Sequence, residues 1–361
     1  MSNGAIRIPY DRMEDFLREV FSKLGVPNPD ASICASHIVE ADRRGISSHG
    51  VNRMKPFYYE RLRKGLQKPV TRMEVVRETP TTAVVDGNFG MGHVIGKRSM
   101  EIAIDKAHEY GMGMVAVRNS THYGFAGYYT KMAAESEMIG ICGTNARPSV
   151  SPTFGTEGMM GTNPLSYSFP TDEEFPFVLD CATPITQRGR IEYYAREGKE
   201  VPPGWVIGSD GEYRTDTEGI LRALERGEAA FLPLGGRGEE SGGHKGYGYC
   251  AVVEVLSSAL QAGPFLKSIT GVNVGHFFMA VDISSFRDPE EFKKDAGEIM
   301  RRLRGSRKEP GRERIYTAGE KEFIHYNETK EKGLLLNGSI ARDMADMRED
   351  LGIEGFDTDF V

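Results

Sequence analysis

Along the first seventy-odd residues, apolar side chains recur with helical spacing: Phe16, Val20, Phe21 and Leu24 share a face, Asp11 can cap that segment, and Gly25 follows its end. A second helix is expected after Asn28-Pro29-Asp30, running towards Arg44, with Pro29 suited to a first turn and Gly45 to the exit. Near Met73 the period drops to two. This predicts strands over Met73 to Arg77 and Thr82 to Val85, a helix near Ile95 to Tyr110 and a strand over Met114 to Val117. Further apolar runs at Met138 to Cys142, Leu165 to Phe169 and Phe177 to Leu179 read as strands; Tyr247 to Leu260, Glu290 to Leu303 and Leu334 to Leu351 read as helices. The alternation of strand and helix in the middle of the chain predicts an α/β fold flanked by helical ends. The charged Gly/Pro stretch Arg304 to Arg314 marks a boundary.

Composition narrows the picture. The chain has 361 residues, 39% of them hydrophobic and 27% charged, enough to bury one large core or two ordinary ones, which excludes a disordered tail or a disulfide miniprotein. Its 52 acidic and 45 basic side chains are interspersed and sum to -7, so no basic stripe favours nucleic acid or an anionic membrane. The opening MSNGAIRIPYDR has no apolar run of leader length, and the apolar stretch around Tyr249 to Leu260 is broken by Glu254 and two serines. A cytoplasmic protein is the expectation. Cys34, Cys142, Cys181 and Cys250 lie far apart, which suits reduced, buried thiols better than a disulfide frame or a zinc site. Only three glutamines occur, a mark of a hot-adapted source, although sixteen methionines point the other way.

Five segments can carry chemistry. Gly90-Met91-Gly92-His93-Val94-Ile95-Gly96 follows a strand and opens a helix, but its spacing is GxGxxxG, and the next strand ends at Arg118-Asn119 rather than at a ribose-binding acid. Close helix packing explains it better than a dinucleotide fingerprint. The run Gly235 to Gly248 holds His244, Lys245 and Gly246 ahead of a helix, without the Gly-Lys-Ser/Thr of a triphosphate loop; an anion cradle is slightly favoured over a flexible connection. Asp42 to Arg53 packs Ser48, His49, Arg44 and Arg53 into one helix exit. Ser48 and His49 are not expected to act as nucleophile and base, since adjacent residues rarely point at each other. Asn119 to Gly127 sets His122 at the C-terminal end of a strand, where ligands of α/β sheets sit, or else forms a polar turn capped by Ser120 or Thr121. Thr144 to Pro148 and Gly161 to Pro164 add Arg147, Asn145 and Asn163 in strand connections.

Taken together, DRRGISSHGVNR, RNSTHYGFAGYY, GTNPLSYSFP, FVLDCATPITQRGRI, VPPGWVIGSDGE, FLPLGG with GGHKGYG, and GHFFMAVDI resemble, in order, the malate/L-lactate dehydrogenase family. That family is distinct from the Rossmann-type malate dehydrogenases and includes sulfolactate, ureidoglycolate and diketogulonate enzymes; the resemblance is nearest to the archaeal type of malate dehydrogenase. It implies hydride transfer between a 2-hydroxy acid and a 2-oxo acid, foremost malate and oxaloacetate, with sulfolactate or lactate as alternatives. It also implies a non-Rossmann, mixed-sheet cofactor-binding domain over residues 76–305, beside a smaller helical domain from 1–75 with 306–361. NAD or NADP would touch Ala146, Asn163, Asp180, Cys181, Ala182, His244, Lys245, Gly246, Gly319 and Glu320, although Ala318 stands where many relatives carry proline and Pro184 where they often carry serine. Arg188 or Arg190 near that segment could favour a 2'-phosphate. Relatives are commonly homodimers.

The reaction itself needs a base for the hydroxyl proton and a cation for the carboxylate. His122 fits the base, with His49 second. Arg53 fits the clamp, Arg147 or Arg44 a second carboxylate, and Ser48 a hydrogen bond to substrate or cofactor. No metal is required. From other classes, a metal-assisted hydrolase lacks a ligand cluster in the sequence, and a non-catalytic ligand-binding protein is poorly supported by such family-like surroundings.

Overall fold

The computed structural model describes residues 6–360; the outermost residues of the expected helical domain, 1–5 and 361, lie outside the described residues. Strand β1 (Ile6–Ile8) and helices α1 (Tyr10–Lys23) and α2 (Asn28–Arg43) open the chain, followed by two short turns, a π-helical turn over Met54–Tyr59, and α3 (Glu60–Arg63). Next come β2 (Glu74–Glu78), β3 (Thr82–Asp86), α4 (Gly92–Tyr110), β4 (Met112–Ser120), α5 (Gly127–Glu135), β5 (Met138–Thr144), β6 (Leu165–Phe169) and β7 (Phe177–Cys181). An excursion holds α6 (Arg188–Arg196), β8 (Val206–Gly208), β9 (Tyr213–Arg214), α7 (Thr217–Arg226) and β10 (Ala229–Phe231). The chain returns through α8 (Gly243–Leu256), β11 (Val274–Asp282), α9 (Pro289–Arg304), α10 (Glu320–Thr329), β12 (Leu334–Leu336) and α11 (Gly338–Leu351).

Two expected elements differ. Helix α1 starts at Tyr10 behind Pro9, so Asp11 is not its cap but stands in the first turn, where its carboxylate pairs with Arg43 at 2.6 Å. The run from Leu334 is not one helix. Asn337 breaks it by accepting the Ser339 and Ile340 amides on Oδ1, both at 3.0 Å, and the three leucines before it pair antiparallel with Ile6–Ile8.

The main sheet runs β2-β3-β4-β11-β5-β6-β7, and only β3 and β4 are parallel. Strand β11, from late in the chain, lies antiparallel between β4 and β5. A doubly wound parallel sheet is thereby excluded, and with it the usual crevice of a dinucleotide fold. Helices α4 and α5 bury Ile95, Ala103, Tyr129 and Ala133 against the sheet, while Val253 of α8 meets Leu165 and Phe277 in a separate cluster. The helical layer has its own core, in which Phe16 packs against Phe356 and Phe360 from the other end of the chain, with ring centroids 5.2 and 4.6 Å away.

Both glycine runs serve close packing. A Cβ at Gly92 would sit 2.3 Å from the His122 carbonyl oxygen, and the Gly92 amide is already taken by Thr121 Oγ1 at 3.0 Å. Likewise a Cβ at Gly243 would sit 1.9 Å from the Gly236 oxygen, and one at Gly246 2.2 Å from that of Leu234. Gly92→Ala is therefore expected to lower the unfolding free energy by about 1–3 kcal/mol, as overpacking does. In Gly248→Ala, where nothing lies within 4 Å, helix propensity should raise it by up to about 1 kcal/mol. Urea unfolding of the two variants checks the pair; equal midpoints would show that the Gly92 backbone relaxes.

Candidate active site

Helix α2 ends at Arg43, and the buried carboxylate of Asp42 folds the next ten residues back over it. Asp42 Oδ2 accepts the Val51 amide at 2.7 Å, and a Cβ at Gly50 would lie 2.1 Å from Oδ1, so only glycine admits this approach. Burial pushes the Asp42 carboxyl up to about 7, with the Val51 amide opposing. In the resulting turn Ser48 Oγ lies 2.9 Å from His49 Nδ1, contrary to the expectation for adjacent residues, because Ser47–His49 form a 3-10 turn. Arg53 Nε donates to the Ser48 carbonyl at 2.8 Å.

His122 arrives from the end of β4 and stacks on His49, with ring centroids 5.6 Å apart and 12° between planes. Its Nδ1 is 2.7 Å from Tyr58 Oη and 3.3 Å from the Gly124 amide, which donates to it. The edge of Phe57 closes its other side at 4.9 Å. Burial, helped by the Arg53 charge, holds His49 down at about 4. Burial holds His122 well below its ordinary value too, aided by His49, His93, Arg61 and Arg53. Thr121, a candidate local cap, instead caps α4 across the structure.

Sequence reasoning missed Tyr58 and Arg61. The signal was present: Arg53, Phe57 and Arg61 are spaced four apart, as residues sharing a helical face are. The Arg61 guanidinium carbon lies 3.6 Å from the Phe57 ring centroid, and burial together with the Arg147 charge, against the pull of Tyr58, holds this cation down at about 10. Arg53, Arg61 and Arg147 have no carboxylate within ion-pair distance among the described residues, whereas Arg44 is bound to Glu40 at 2.6 Å. Arg188 is also engaged, by Glu192 and Glu225.

A cleft of about 1830 Å³ opens beside this cluster. Arg44, Ser48, His49 and Arg53 line it together with Asp180, Cys181, Ala182, Arg190 and Gly319. Asp180 Oδ2 accepts the Gly127 amide at 2.7 Å under the start of α5, and burial pushes its carboxyl up to about 6. Cys181, expected to be buried, is an exposed thiol because it sits at the end of the edge strand β7. His122 and Arg61, together with Ala146, Arg147, Asn163, His244, Lys245, Gly246 and Glu320, stand outside the cleft lining. Asn163 Nδ2 donates to Glu254 Oε2 at 2.7 Å and to the Cys250 carbonyl while its buried Oδ1 has no protein partner, and Glu320 is held by the Thr317 amide and Arg314. Among the described residues no three His, Cys, Asp or Glu side chains are grouped as metal ligands, and no helix is long and apolar enough to cross a membrane.

A family profile described as malate/L-lactate dehydrogenase matches residues 8–345. The chain belongs to the malate/L-lactate dehydrogenase family. It is 43% identical over 355 residues to a malate dehydrogenase of Pyrococcus horikoshii, covering 97% of each chain. It is 35% identical to an L-sulfolactate dehydrogenase of Methanocaldococcus jannaschii, covering 93% of this chain and 94% of that one. The crystal structure of malate dehydrogenase from Entamoeba histolytica superposes with a TM-score of 0.95 at 42% identity, covering 98% of this chain and 99% of that one. This family member is accordingly an oxidoreductase of hydroxy acids that works with a nicotinamide cofactor.

Proposed function

We propose that the enzyme interconverts malate and oxaloacetate, with His122 exchanging the hydroxyl proton and Arg53 clamping the adjoining carboxylate. The observation that carries this reading is the stacked His49–His122 pair beside guanidiniums that have no carboxylate of their own. In the oxidising direction the base must offer a free lone pair. The Gly124 amide donates to Nδ1 at 3.3 Å in the resting ring, so Nε2 becomes free to accept the hydroxyl proton once the proton of the neutral His122 ring sits on Nδ1, donated to Tyr58 Oη in place of the Gly124 contact. In the reducing direction the imidazolium returns that proton to the forming alkoxide while Tyr58 continues to accept from Nδ1. Ser48 can switch between donor and acceptor on His49, which holds the second ring in register beside the first.

The cleft suits a nicotinamide dinucleotide: Pro164, Val178 and Leu179 offer apolar walls, and Arg190, Arg196 and Lys321 offer cations for phosphates. Asp180, Cys181, Ala182 and Gly319 are the residues proposed to hold it. When bound, NAD or NADP supplies the hydride donor or acceptor. The depressed pKa of His122 makes its imidazolium a ready acid, and a bound carboxylate on Arg53 would offset part of that depression.

The test is the absorbance of NADH and NADPH mixed with enzyme and oxaloacetate, sulfopyruvate or pyruvate. Fastest oxidation with oxaloacetate is expected. Faster turnover of sulfopyruvate would transfer the assignment to sulfolactate, and silence with all three acids would remove the malate reading.

A further inference from the structure

Beyond the clamp at Arg53, we propose that Arg61 forms the subsite for a second, distal anionic group of the substrate, and so selects dianionic over monoanionic 2-oxo acids. The inference rests on the hydroxy-acid reading of the His49–His122 site. Arg61 is half-buried, has no carboxylate within ion-pair distance among the described residues, and lies over Phe57 with its guanidinium carbon 3.6 Å from the ring centroid. Phe57 is the ring whose edge meets His122, so Arg61 is one side chain removed from the proposed base. Arg53 approaches the same ring with its guanidinium carbon 5.8 Å from the centroid. Two guanidiniums thus approach one aromatic ring at the site.

Cations that repel one another and lack counterions are costly to collect unless an anion joins them. One carboxylate satisfies Arg53 alone. A second anion, three or four bonds away along a short acid, would relieve Arg61. A planar guanidinium serves a carboxylate or a sulfonate by the same paired N–H donation, so the subsite reads charge and shape rather than a particular acid. A monoanion such as pyruvate would leave Arg61 bare, and an unpaired, partly desolvated charge is what allows a site to discriminate.

The experiment compares kcat/KM for oxaloacetate and pyruvate in the wild type and in Arg61→Met, which keeps the stem on Phe57 but removes the charge. Oxaloacetate is expected to lose about 10- to 100-fold more than pyruvate, chiefly through KM, as expected for a lost charged hydrogen bond. Inhibition by malonate should weaken in the same proportion relative to inhibition by propionate, a readout that does not depend on turnover. A parallel loss for both acids would assign Arg61 to the general architecture and overturn the proposal, as would an unchanged ratio. If Arg61→Met lacks a cooperative melt, Arg61→Lys takes its place: a selective rise in KM for oxaloacetate supports the subsite, and an unchanged ratio overturns it. Wild-type enzyme silent with every acid would instead overturn the hydroxy-acid reading, and the subsite with it.

Discussion

Replacing His122 with alanine is expected to lower kcat by about 10²- to 10⁴-fold, the range of a lost general acid-base group. The ring is held from three directions, by Tyr58 Oη at Nδ1, by the face of His49 and by the edge of Phe57, so little remains free except the edge that carries Nε2. Tyr58 cannot substitute for it: it is buried, and burial pushes its hydroxyl further up from an already high value. His49→Ala should cost less, because His49 supports the stack and reaches the reaction through it. Steady-state kinetics in both directions, with a melt to show that each variant is folded, ranks the two. A larger loss in His49→Ala than in His122→Ala would exchange their roles.

Acid should unfold this protein steeply between about pH 6.5 and 4. Burial holds His93 and His276 at about 3 and His49 at about 4, and it keeps His37 and His122 well below 6.5. Each ring is neutral when folded and takes up a proton when unfolded once the pH falls below about 6.5, so each withdraws stability as the pH drops through that window. Asp42 and Asp180 work the other way: their carboxyls, pushed up to about 7 and about 6, bind protons in the folded state first and add stability as the pH falls. Five rings against two carboxyls leave a net difference of up to three protons, or at most about 4 kcal/mol per pH unit. Against a typical margin of about 5–15 kcal/mol, two units remove at most about 8 kcal/mol, enough to unfold a chain in the lower part of that range. Urea midpoints measured down this range check the slope; a flat profile would mean that these rings reach solvent while folded.

Much of the fold was legible because its periodicities are local. Leu165–Phe169 matches the expected strand at both ends, and the other sheet strands through Phe177–Cys181 differ by a few residues at most. The strand Val274–Asp282 was visible only as a family-like string, since its antiparallel place between β4 and β5 comes from pairings more than a hundred residues distant. At the glycine-rich run from Gly235, close backbone packing accounts for Gly243 and Gly246, and loop composition alone does not distinguish that role from an anion cradle. In the site, His49, His122 and Arg53 could be named from short segments. Arg61 could have been found from its spacing with Arg53 and Phe57, but Tyr58 could not, because nothing in the order of residues announces that a π-helical turn will aim an aromatic hydroxyl at a histidine sixty-four positions away.

The pairing of Ile6–Ile8 with Leu334–Leu336, and of Phe16 with Phe356 and Phe360, also sets a schedule for synthesis. The apolar faces of the first two helices emerge from the ribosome long before the segments that cover them. At about 5–20 residues per second they wait roughly 20 to 70 s. The strands of the sheet can begin to pair within that interval, but the segment bearing His49 and Arg53 lies on the layer that closes last. A nascent chain therefore carries an adhesive N-terminal surface for most of its translation and gains a finished active site only near the end.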